Sequence, residues 1–159
     1  MLLRLLFCLV FLTLLSGFAC DLSKKTAAPS GKDKDRSRDS TGLVWMDSER
    51  LMPVLELAQQ QNRPVFVEFY ADWCAPCKVM EEELFTEPIV YAYFNRYFLN
   101  FRTNIDSESG QMLAGLYTVE SLPTILYLNP QGVVLERLIG GITFSKLEAA
   151  GNAAMQKMR

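Results

Sequence analysis

Two cysteines stand two residues apart in Trp73-Cys74-Ala75-Pro76-Cys77-Lys78. Thiols at that spacing can close a disulfide and exchange it with another, so the pair reads as a redox couple. An apolar run, Val65-Phe66-Val67-Glu68-Phe69-Tyr70, comes before it and a helix-like run after it. A strand-to-helix junction puts Cys74 at a helix N-terminus, where unpaired N–H groups and the helix dipole favour an anion. Such a setting brings a thiol down from about 8.5 toward neutrality and makes Cys74 the nucleophile. Cys77, one turn further in, is placed to close the disulfide on it.

The elements that must hold this pair follow from pattern and punctuation. Leu43–Met46 reads as a short strand. Asp47 or Ser48 can cap a helix running through Gln61, with Pro53 tolerated only in its first turn or as a kink. Val65–Tyr70 reads as a buried strand from its nearly continuous β-branched and aromatic residues. Ala75 to about Leu84 reads as helix, with Glu81-Glu82-Glu83 solvated. Thr86-Glu87-Pro88 breaks it, and Ile89–Tyr97 resumes. Then come a strand at Phe98–Ile105, a helix at Ser107–Tyr117, a hairpin of Thr124–Leu128 and Val133–Leu138 around Asn129-Pro130-Gln131-Gly132, and a helix at Thr143–Met158. The order β-α-β-α-α-β-α-β-β-α implies an α/β fold with a mixed sheet and helices on both faces.

The ends say where such a domain works. Residues 1–19 carry a basic start (Arg4), an apolar stretch from Leu5 to Leu15 and small residues at Gly17 and Ala19. That is the pattern of a secretory signal, and the apolar stretch is short for a bilayer span of ~20 residues. Cys20 follows the expected cut and resembles the lipidated cysteine of a bacterial lipoprotein, although Gly17 and Phe18 depart from the usual box. Ordinary cleavage after Ala19 is the alternative. It would leave Cys20 as an odd thiol in an oxidising compartment, which favours lipidation. Residues 21–42 are polar, with six Lys/Arg against four Asp, and read as a linker. Residues 43–159 form one domain with nine Lys/Arg and fourteen Asp/Glu, a balance that argues against a nucleic-acid partner. The chain has no His. Cys8 leaves with the signal, so a zinc site, which needs four ligands, is not expected, and Cys-His nucleophilic catalysis is excluded.

Together these residues resemble the thioredoxin-like superfamily. The hexapeptide around Cys74 is similar to the thioredoxin active site, with Ala75 where Gly is usual. Leu122-Pro123-Thr124 resembles the family's cis-proline loop, and Arg102-Thr103-Asn104-Ile105-Asp106 its strand ending in an Asn/Asp pair. Phe69-Tyr70-Ala71-Asp72-Trp73-Cys74, Leu84-Phe85-Thr86-Glu87-Pro88-Ile89-Val90 and Leu122–Leu128 resemble the C-terminal domain of the reductase DsbD and secreted thioredoxin-like lipoproteins. The extra helical segment, here Thr86–Tyr97, is their distinguishing insertion.

The resemblance implies a thioredoxin fold and a set of roles. Cys74 attacks a substrate disulfide and Cys77 resolves the mixed disulfide. Pro76 sets the helix start, Trp73 packs beside the disulfide, and Pro123, in cis, offers the Leu122 backbone to substrate. Glu68 stands at the position of the family's buried acid, usually Asp, and would accept the Cys77 proton. Lys78 and Arg102 read as structural or solvated charges, and Asp72 as a rim residue.

The expected function is an extracytoplasmic thiol–disulfide oxidoreductase without a cofactor. It would reduce protein disulfides, draw electrons from a membrane reductant carrier and be held to the membrane by lipid on Cys20. Ala75-Pro76 resembles reducing thioredoxins more than oxidants whose dipeptide contains His. A non-catalytic module that binds thiol-containing partners is the alternative.

Overall fold

The computed structural model describes residues 42–158. The expected signal at 1–19, Cys20 and the linker up to residue 41 lie outside the described residues. Among the described residues four strands form one mixed sheet in the order β2-β1-β3-β4. They are β1 (Val65–Tyr70), β2 (Leu99–Asn104), β3 (Thr124–Leu128) and β4 (Val134–Ile139). The first pairs with β2 in parallel and with β3 antiparallel, and β4 closes a hairpin on β3. Among the described residues five α-helices accompany them: α1 (Leu51–Gln61), α2 (Ala75–Val79), α3 (Pro88–Tyr97), α4 (Glu108–Leu116) and α5 (Phe144–Lys157).

Because β1 is central, both of its faces are buried, and its side chains alternate between two cores. Phe66 packs with Phe94 of α3, Phe98, Tyr127 of β3 and Leu147 of α5. Val65, Val67 and Phe69 face the other way, onto Val54 of α1, Phe101, Leu126 and Leu128. Period-two alternation gives Glu68 the same face as Phe66. A carboxylate thereby enters the α3/α5 side of the sheet.

The observed elements depart from the expected ones in places with identifiable causes. Leu43–Met46 is not a strand among the described residues: it contributes a single parallel bridge, Trp45 to Asn100. Side-chain amides replace the ladder there, since Val44 N donates to Asn95 Oδ1 at 2.9 Å and Asn100 Nδ2 to the Val44 carbonyl at 3.1 Å. Neither Asp47 nor Ser48 caps α1. Its N-cap is Arg50, with no side-chain cap, and the Ser48 hydroxyl bonds the Arg50 backbone instead. Pro53 then falls in the first turn, where its missing N–H costs nothing. The helix after Cys74 changes at Met80 into a π-helical turn through Leu84. Phe85 N bonds the Met80 carbonyl at 2.8 Å, and this wider turn brings Met80 and Phe85, five apart, into the same core. Strand and helix ends elsewhere shift by one residue. Ser107 serves as the cap of α4 and Pro88 as the first residue of α3.

Candidate active site

Cys74 is the N-cap of α2, the role that its position after β1 predicts. Its extended backbone (φ −79°, ψ 96°) turns the chain into the helix, and Cys74 Sγ accepts the Cys77 N–H at 3.3 Å. Pro76 lies in the first turn, so its missing donor is one the helix could not have used. The two sulfurs are joined as the Cys74–Cys77 disulfide. An N–H already aimed at Cys74 Sγ supplies the hydrogen bond that favours a thiolate once the disulfide opens.

Cys74 lines a cavity of about 400 Å³ whose wall also includes Trp73, Pro76, Ile105, Val119, Glu120 and Leu122. The Leu122–Pro123 peptide bond is cis. Its loop is anchored from both ends: Gly140 N donates to the Pro123 carbonyl at 2.8 Å and Thr124 Oγ1 to the Ser121 carbonyl at 2.7 Å. Pro123 itself is buried while Leu122 is half-buried against Cys74. Trp73 stands at the rim rather than packing down over the disulfide. It is 67 % exposed, and its indole N–H donates to Asp106 Oδ2 at 2.9 Å. Asp72 and Lys78 are exposed, as the sequence suggests.

Glu68 is 1 % exposed, and neither carboxylate oxygen has a hydrogen-bond partner. No bond joins it to either cysteine in this disulfide form. The nearest cation is Arg102, whose Nε lies 3.8 Å from Glu68 Oε2. Burial pushes the Glu68 carboxyl up to about 7; Arg102 opposes this and the charge of Glu81 adds to it. A carboxyl in that range can hold or release a proton at neutral pH.

Arg102 is the residue that sequence reasoning underrated. Its guanidinium donates to both oxygens of Glu81, at 2.6 and 3.3 Å. It also lies over the rings of Tyr70, at 4.0 Å, and Trp45, at 5.3 Å. Glu81 is therefore ion-paired, unlike the solvated Glu82 and Glu83, and that hydrogen bond holds its carboxyl below the usual range. The signal was present in strand register, since Glu68 and Arg102 are direct neighbours across the parallel β1–β2 pair. Aligning the two strands from sequence would have placed the charges together.

The sequence profile of the thioredoxin-like family matches residues 45–130. A thiol:disulfide interchange protein DsbD from Salmonella typhimurium is 38 % identical over 78 residues, 48 % of this chain and 14 % of the relative. That from Pseudomonas fluorescens is 32 % identical over 83 residues, 52 % of this chain and again 14 % of the relative. The chain thus spans only a small part of the length of these relatives. Among solved structures, a thioredoxin from Thermus thermophilus superposes with a TM-score of 0.64 at 26 % identity, covering 74 % of this chain and 90 % of that one.

Proposed function

The chain belongs to the thioredoxin-like family, and from that premise we propose that it reduces protein disulfides outside the cytoplasm through Cys74 and Cys77. The observation that carries this reading is Cys74 at the N-cap of α2, receiving the Cys77 N–H and opening onto the cavity that Leu122 walls. In the dithiol form the Cys74 thiolate attacks one sulfur of a substrate disulfide. A mixed disulfide forms, and the other substrate sulfur leaves and takes up a proton. Cys77 then loses its proton, with Glu68 the proposed acceptor, and attacks Cys74 Sγ. The second substrate thiol departs, the Cys74–Cys77 disulfide closes, and two electrons have passed to the substrate.

Leu122 and Pro123 present backbone for an extended substrate segment, and Trp73 and Pro76 form the apolar wall beside it. The direction rests on Ala75-Pro76 and on the absence of His from the chain, which leaves the Cys74 thiolate without a cationic imidazole of the kind that strengthens oxidants. A reductase in an oxidising compartment must be recharged, so the electron donor is a membrane reductant carrier. Residues 1–19 serve as an export signal that is cleaved off, and lipid on Cys20 holds the domain at that membrane.

The test is a trap. Cys77→Ser should accumulate mixed disulfides through Cys74 when the reduced protein meets its substrates, and Cys74→Ser should accumulate none. A module that binds thiol-containing partners without turnover would give no Cys74-linked adducts with either variant.

A further inference from the structure

The cavity beside Cys74 is lined by Trp73, Ala75, Pro76, Ile105, Val119, Ser121 and Leu122, none of them charged, and by one ionic side chain, Glu120. Glu120 is exposed, and it has no ion-pair partner among the described residues. It stands two residues before Leu122, so their Cα atoms lie within about 7 Å of each other. Both line the same cavity as Cys74. Two further exposed acids adjoin Trp73 of the wall, Asp72 beside it in sequence and Asp106, which accepts its indole N–H, while one cation, Arg137, is held back by donating to the Tyr117 and Thr118 carbonyls just before Val119. Lys78, the nearest cation in sequence to the cysteines, is exposed on α2 and is not part of the cavity wall.

The backbone of the same segment is open. Val119 N is taken by the Ala114 carbonyl, the Ser121 carbonyl by Thr124 Oγ1 and the Pro123 carbonyl by Gly140. The N–H groups of Glu120, Ser121 and Leu122 make no hydrogen bond within the described residues. A substrate segment that pairs with this stretch while its sulfur reaches Cys74 must carry its flanking side chains past Glu120.

We propose that Glu120 is a specificity-determining residue, selecting disulfides flanked by Lys or Arg over those flanked by Asp or Glu. This rests on the reading of Cys74 as the attacking nucleophile. A cationic side chain near Glu120 gains Coulomb attraction while the substrate is docked, and an anionic one is repelled by it. The discrimination is a surface effect and fades with salt, because exposed charges are screened over about 10 Å at 0.1 M.

The experiment uses the full chain, reduced and freed of reductant, in single turnover at low salt. Two synthetic peptides carry the same intramolecular disulfide, one flanked by Lys and the other by Glu. The Lys peptide should be reduced faster by about threefold or more, a contrast in the range of one exposed charge pair. Glu120→Gln should shrink the ratio, Glu120→Lys should shrink it further, and 0.5 M salt should bring it toward one. Equal rates for both peptides, or a ratio unmoved by Glu120→Lys in a variant with wild-type circular dichroism and melting, would overturn the role of Glu120 while leaving the reductase reading standing. Reduction of neither peptide overturns the reductase reading, and the selectivity with it.

Discussion

Glu68 concentrates the chemistry of the site at the scale of a single residue. It is a carboxyl with no hydrogen bond, 3.8 Å from a guanidinium that is committed to Glu81. Its pKa is raised to about 7 from an ordinary value of 4.5, chiefly by burial. The folded chain therefore binds this proton more tightly than the unfolded chain does. Stability from this group is complete below the unfolded value and is lost as pH rises through the folded one. Unfolding free energy should fall between about pH 4.5 and 7, by on the order of 3 kcal/mol if this group dominates. Glu68→Gln should remove that fall, as measured by denaturant unfolding at several pH values. The same variant should slow closure of the Cys74–Cys77 disulfide by about 10²-fold at neutral pH, the scale of a lost general base. It should also erase the inflection near pH 7 in the rate profile. A uniform slowing at every pH would mark Glu68 as structural only. Glu68 was legible as the buried acid through the family resemblance, but the arginine beside it was not, because Arg102 joins it through strand pairing rather than through a local motif.

Helix and strand junctions place the site, and there the chain tolerates little change. Gly110 sits in the first turn of α4, against the end of β2. A Cβ at that position would overlap the backbone carbonyl of Asn104, which cannot move aside without displacing β2. Gly110→Ala should destabilise the fold by about 3 kcal/mol, the upper range of overpacking, as read by thermal or urea unfolding. Ser107→Ala, which removes the cap bond to Gly110 N at 3.0 Å, should cost about 1 kcal/mol. The element-level reading from sequence succeeded where one signal dominated. Val65–Tyr70 is observed with the bounds its apolar run implies, and Thr124–Leu128 likewise. It failed where tertiary contacts decide. The amides of Asn95 and Asn100 satisfy the Val44 backbone and leave Trp45 a lone bridge. The π turn at Met80–Leu84 depends on where two side chains must enter the core, which no local propensity encodes.

Over the whole molecule, one sheet ties the active-site pair to the loop opposite it. β1 delivers Cys74, and its antiparallel neighbour β3 begins just after Pro123, so pairing of the two strands sets the cis-proline loop across the cavity from the disulfide. Family membership follows from that arrangement together with the matched profile. In the proposed reductase, electrons flow from Cys74 and Cys77 to the substrate. The reduction potential of Cys74–Cys77, measured by equilibration of the full chain with dithiothreitol and glutathione buffers, tests it most directly. A reductase without a cationic partner for its thiolate should lie near the thioredoxin value of about −270 mV. A value near about −120 mV, that of a strong oxidant, would contradict the account.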